Sequence, residues 1–208
     1  MLEHLLEWLA VLIIDIIDQI GYAGIFVLMS LESANVPIPS EITMPFSGFL
    51  ASTGRLNFYG VVLAGAFGNL IGSLTAYYIG FWGGRPFAKK YGKYLFIHEY
   101  DIERAEYMFA KYGKSIAFFS RLFPIVRTFI STPAGIARMN IWQFSAYTFA
   151  GSLIWSAVLA YAGFVAGENW DFLGPYFKRF DWAIAGLGIA AIVWWILRHN
   201  KIKRKYEK

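Results

Sequence analysis

Four ionisable side chains stand in stretches that are otherwise apolar: Glu32, Glu41, Arg121 and Arg127. At membrane depth a charged side chain costs from about 2.5 kcal/mol upward, so groups kept there need partners or a role. An arginine presents a planar, permanently charged fork that grips phosphate oxygens two at a time. A carboxylate beside it can neutralise it at rest and give it up to an incoming phosphate. Desolvation and a nearby arginine pull a carboxylate's protonation in opposite directions, and that balance is what a proton-coupled step needs. The chemistry expected of these four is therefore a cradle for a phosphate-bearing group. Arg121 and Arg127 are the phosphate-binding candidates, and Glu32 and Glu41 the gating or proton-coupling ones. Asn35, Ser40 and Thr128 are supporting polar candidates, and Thr43, Ser131 and Thr132 are of the same kind. Each can instead satisfy backbone groups freed by nearby prolines. The plainer reading of the four charges is two buried ion pairs that lock the chain together, and the two readings are compatible.

The backbone must bring these residues together. On one continuous helix Glu32 and Glu41, nine apart, would point about 180° apart, and Arg121 and Arg127, six apart, about 120°. Prolines change this. Pro37, Pro39 and Pro45 forbid one regular helix over 32–54, a stretch too apolar for a solvent loop. A re-entrant hairpin shielded from lipid by protein fits both facts. Residues 115–138 repeat the pattern, with Pro124 and Pro133 breaking an apolar segment that carries both arginines. A second re-entrant hairpin is expected there.

The surrounding sequence sets the solvent. Of 208 residues, 57% are apolar and 16% charged, against about 45–50% and about 25% in soluble domains. Residues 58–82 and 139–167 carry no acidic or basic side chain, and 183–197 form a shorter apolar run. A bilayer core of about 30 Å takes about 20 helical residues. The predicted fold class is an all-α polytopic membrane protein, an inverted repeat with two opposed re-entrant helical hairpins. Residues 1–20 read as an amphipathic helix, with Glu7, Asp15 and Asp18 in one polar sector. Residues 21–167 form the membrane core, with hairpins at 32–54 and 115–138. Residues 168–208 hold an outside loop, a last transmembrane helix and a basic tail.

Within the core, Gly83-Gly84-Arg85-Pro86 is expected to end the first long span and 87–114 to form an amphipathic connector. Gly68-x-x-x-Gly72 permits close helix contact, within the chain or in a homodimer. Asn69 and Trp155 lie inside spans, and Trp155 is read as packing. Most of the 19 Lys and Arg lie in 85–114, at Arg138 and in 198–208, which places those parts in the cytoplasm. The expected location is the inner cell membrane, multi-pass, with the C-terminus cytoplasmic. A single crossing before Glu32 puts the N-terminus there too.

Several function classes lose support. There is no cysteine, and His4, His98 and His199 are scattered, so neither a metal site nor a cofactor is expected. The basic tail reads as the flank of a final span and not as a nucleic-acid site. Met1 is followed by Glu3 and Glu7, so no cleaved secretory signal is expected.

At these residues the sequence resembles the DedA family, which shares the VTT domain with eukaryotic lipid scramblases. The likeness is carried by Leu31-Glu32-Ser33, Pro37-x-Pro39-x-Glu41, Gly68 to Gly72, Arg121-x-x-Pro124-x-x-Arg127-Thr128, Pro133-Ala134-Gly135 and Gly151-x-x-x-Trp155. The resemblance implies two opposed re-entrant hairpins and a role in moving lipids, as a flippase or scramblase. It also implies undecaprenyl phosphate or phosphatidylethanolamine as substrate and, in some members, protons as a partner. Glu32 and Glu41 look like the family's acidic pair, and Arg121 and Arg127 like its arginine pair. The competing class is a proton-coupled transporter of a small ion or solute, which would need alternating aqueous vestibules where a lipid carrier needs lateral access. A membrane enzyme acting on lipid phosphates lacks any histidine in the hairpins, so an enzyme is not expected.

Overall fold

Prolines and glycines punctuate a run of helices. The computed structural model describes residues 2–167 apart from Pro37 and 96–98, with side chains at 2–10, 85, 87–106, 110, 124 and 125 also outside the description. The expected outside loop, last span and basic tail at 168–208 lie outside the described residues, as do the side chains of Glu3 and Glu7. Helix α1 (Leu2–Ile20) ends at Gly21, whose φ of 56° glycine adopts without steric cost. Helix α2 (Tyr22–Ser33) follows directly, and a turn at 34–39 leads into α3 (Ser40–Ser52). Asn35 in that turn has φ 71°, a left-handed conformation that asparagine tolerates better than most residues. Helix α4 (Phe58–Leu95) is capped by Asn57, whose Oδ1 accepts from the Tyr59 and Gly60 N–H groups at 3.0 and 3.2 Å.

The second part begins with α5 (Glu99–Phe119) and one tight turn, Ser120–Leu122. Two short helices, α6 (Pro124–Phe129) and α7 (Ser131–Ile136), precede α8 (Ile141–Ala166). Asn140 caps α8 by accepting from the Trp142 and Gln143 N–H groups at 3.1 and 3.2 Å.

The prolines act differently from expectation. Pro45 lies inside α3, so 32–52 breaks once, at 34–39, and Glu32 belongs to the last turn of a helix that starts at Tyr22. An internal proline removes one helical hydrogen bond, here to the Glu41 carbonyl, and α3 is held by its packing on α8 instead. Pro124 takes the first position of α6 and Pro133 the first turn of α7, where a missing N–H costs nothing. Each lies at the start of a new helix, just after a break in the preceding one. The apolar span does end within 83–86, at Gly84, but the helix does not. The apolar span Phe58–Gly84 is the first part of α4, which continues through Pro86 to Leu95.

The packing is reciprocal. Helix α3 lies against α8, the long helix of the second part, while α7 lies against α4, the long helix of the first. Both contacts need glycine. A Cβ on Gly163 would sit 1.8 Å from the Pro45 carbonyl oxygen, and one on Gly135 would sit 2.0 Å from that of Tyr77. Helix α2 also packs on α4, and a Cβ on Gly72 would come 2.0 Å from the Ser30 carbonyl oxygen. The Gly68-x-x-x-Gly72 face is thus filled by α2 of the same chain.

Polarity runs inside out relative to a soluble protein. Leu63, Phe67 and Ile71, four apart on α4, are exposed, as are Val158, Tyr161 and Val165 on α8. Asn69, Ser73, Ser152 and Ser156 on the same two helices are buried. Soluble domains bury the first kind of residue and expose the second. Phe58–Gly84 and Ile141–Ala166 are each long and apolar enough to cross a bilayer. The chain is an integral membrane protein. On α1, Ile13 and Ile17 are buried, Asp15 faces outward, and Asp18 forms an exposed ion pair with Arg55.

Candidate functional site

The chain breaks at 34–39 and around Phe123 bring three polar side chains to one buried point. Glu32 is in the last turn of α2, Ser40 is the first residue of α3, and Arg127 is on α6. Arg127 donates from Nη2 to both the Glu32 carboxylate and the Ser40 hydroxyl. The face of Trp155, from α8, lies 5.2 Å from the Arg127 guanidinium carbon, within cation–π range. Next to Glu32, the Ser33 hydroxyl donates to Asn69 Oδ1 at 2.6 Å and ties the end of α2 to α4.

Arg121, 2% exposed, has different surroundings. Its Nη1 donates to the Ser73 hydroxyl at 3.0 Å and to the Arg127 carbonyl at 2.8 Å. Its Nη2 donates to the Ser131 and Thr148 hydroxyls at 2.9 and 3.3 Å. The Phe144 ring lies 5.6 Å from its guanidinium carbon. Gly151 makes room for this side chain, since a Cβ there would sit 2.7 Å from the Arg121 Cβ. Among the described residues no carboxylate pairs with Arg121.

The two ion pairs expected from the sequence are therefore one. Glu41 is half-buried in the first turn of α3, near enough to Glu32 for the two charges to repel, and forms no ion pair among the described residues. The reason is the turn, which presents Ser40 and not Glu41 to Arg127. Among the described residues of the site, two guanidiniums and one carboxylate are buried, leaving one positive charge in excess.

The supporting candidates divide. Ser40 and Ser131 join the network. Asn35 is exposed and its amide donates to Thr132 at 3.4 Å, linking the 34–39 turn to α7. Thr43 bonds back to the Pro39 carbonyl at 3.2 Å. Thr128 is half-buried and makes no side-chain hydrogen bond among the described residues. Sequence reasoning does not single out Ser73 and Thr148, and it favours packing over substrate contact for Trp155. The available signal is the presence of small polar residues and a tryptophan inside runs with no charge.

Among the described residues, six buried polar atoms have no hydrogen-bond partner: Glu32 Oε2, Asn69 Nδ2, Arg121 Nε, Arg127 Nε, Trp155 Nε1 and Ser156 Oγ. Five of these carry a hydrogen to donate, and only the Glu32 oxygen is purely an acceptor. Buried donors without acceptors are costly, and such groups call for a functional explanation. A site of this kind suits an acceptor-rich anion. Among the described residues no group of three His, Asp or Glu is placed to hold a metal.

Apolar helix faces outside and a charged, hydroxyl-lined centre inside define a polytopic membrane protein with a buried polar site. Residues 38–165 match the VTT domain, and the chain belongs to the DedA family. It is 38% identical over 206 residues to the uncharacterized membrane protein YkoX of Bacillus subtilis, covering 99% of this chain and 89% of that protein. It is 39% identical over 171 residues to undecaprenyl phosphate transporter A of the same organism, covering 82% and 80%. Protein DedA of Escherichia coli is 30% identical over 152 residues, covering 70% and 68%. No solved structure matches.

Proposed function

We propose that the protein is a transporter, not an enzyme, that carries a phosphate-headed lipid across the inner cell membrane. The observation that carries this reading is the buried contact of Arg127 with Glu32 and Ser40, which joins two separated parts of the chain at one point. In the resting state Glu32 occupies the Arg127 fork. A lipid phosphate entering from the side displaces it, and the freed carboxylate takes a proton. Release of the lipid restores the pair and returns the proton, which couples the two movements. The excess positive charge from Arg121 favours an anionic head group, and the unpartnered donors supply hydrogen bonds to its oxygens.

The reciprocal packing of α3 on α8 and of α7 on α4 supports an inverted repeat of two units, α2–α4 and α5–α8. Each unit would hold one re-entrant hairpin, as in other carriers with a midplane site between broken helices. Undecaprenyl phosphate is the favoured substrate, because two of the matched relatives are named for its transport. Phosphatidylethanolamine is the alternative lipid.

The test is transport by purified protein in liposomes. Labelled polyprenyl phosphate and labelled phosphatidylethanolamine are compared, with and without a pH gradient. The proposal expects faster movement of the polyprenyl phosphate than in protein-free vesicles, increased by the gradient. Movement of neither lipid, with transport of a water-soluble phosphate instead, would favour a solute carrier.

A further inference from the structure

We infer that Arg121 is a positioning residue for Arg127 and does not itself contact the phosphate, a division of labour that rests on the proposed function. A guanidinium has five N–H donors. Arg121 directs its two terminal nitrogens to four oxygens, at 2.8 to 3.3 Å, and keeps only Nε without a partner among the described residues. All four acceptors are neutral. Turning this fork toward a ligand would strand three buried hydroxyls and a carbonyl.

The four acceptors come from four places: Ser73 on α4, Arg127 itself on α6, Ser131 on α7 and Thr148 on α8. Arg121 therefore holds the short helix bearing Arg127 against three others. Its grip on the Arg127 carbonyl sits in the last turn of α6, where a cation is favourably placed. The Phe144 ring stands beside the guanidinium, 5.6 Å from its carbon. Arg127 shares the unpartnered Nε and the aromatic neighbour but differs in the number and charge of its hydrogen-bond partners. Among the described residues its side-chain hydrogen bonds run from Nη2, one of them to a carboxylate that an anion can replace, and its Nε is unpartnered.

The two roles predict opposite results when the neutral acceptors are removed. The full chain in detergent micelles is titrated with farnesyl phosphate. The variant combines Ser73→Ala, Ser131→Ala and Thr148→Val, which keeps both arginines. Positioning predicts binding weakened by about tenfold or more, the worth of one charged hydrogen bond. It also predicts recovery in Ser73→Thr, Ser131→Thr and Thr148→Ser, which keep each hydroxyl. Direct contact predicts unchanged or tighter binding, because donors are freed, and that result would overturn the inference. Should the triple variant fail to fold, each single substitution is titrated, and wild-type affinity in all three overturns it equally. Arg127→Ala separates this inference from the functional reading. Wild-type binding by Arg127→Ala removes both. Loss of binding there, with normal binding in the hydroxyl variants, removes only the role of Arg121.

Discussion

Glu32 and Arg127 stand 95 positions apart and close an ion pair that water barely reaches, with side chains 8% and 6% exposed. Such pairs add little net stability, because desolvation offsets most of the attraction. Removing one partner is different, since it strands the other charge at about 3–5 kcal/mol. Net stability and the cost of losing one partner are therefore separate quantities for this pair.

Replacing both partners by neutral residues should separate fold from transport. The double variant Glu32→Gln with Arg127→Gln is expected to melt close to wild type and to move no lipid. Arg127→Ala alone should reach the membrane folded, melt earlier and also lose transport. Thermal unfolding in detergent and lipid movement in liposomes measure the two effects, and wild-type transport by Arg127→Ala would remove the arginine from the mechanism.

Glu32→Gln alone tests the proton. The variant cannot exchange a proton at this position, so its transport should respond less than wild type to a pH gradient. The measurement is the ratio of rates with and without the gradient, across a pH series. An unchanged pH profile would count against proton coupling through this carboxylate.

Trp155 faces Arg127 at 5.2 Å and should act through its ring. Trp155→Phe keeps an aromatic face and is expected to retain most lipid transport, whereas Trp155→Ala should lower it several-fold. A cation–π contact removed from water is worth about 2 kcal/mol, enough for that difference. Equal transport by the two variants would reduce Trp155 to packing.

Close helix approach predicts a sharp contrast between glycines. Gly163→Ala places a methyl 1.8 Å from the Pro45 carbonyl oxygen, so backbone must move, at about 1–3 kcal/mol. Gly83→Ala meets nothing within 4 Å and gains helix propensity of about 1 kcal/mol. Melting temperatures should fall for the first and hold or rise for the second.

How much is legible in the sequence depends on the kind of signal. The long apolar helices can be read from Phe58–Gly84 and Ile141–Ala166, because a soluble helix rarely goes a bilayer's length without a charge. The four ionisable residues stand out by their cost in an apolar setting. Their partners do not, since a turn of a few residues decides whether Ser40 or Glu41 faces Arg127. Proline rules give breaks but not their direction, and Pro45, Pro124 and Pro133 fit within or at the start of helices. Ser73 and Thr148 stay hidden because a lone hydroxyl in an apolar run looks the same whether it bonds its own helix or a distant guanidinium.

The exchange of partners between the two halves bears on how the chain is made. Synthesis at about 5–20 residues per second puts about 5–20 s between the emergence of Glu32 and that of Arg127, 95 residues later. Until then α3 has no α8 to lie on and Glu32 has no counter-ion. A chain truncated after α4 would therefore lack both the surface on which α3 packs and the counter-ion of Glu32.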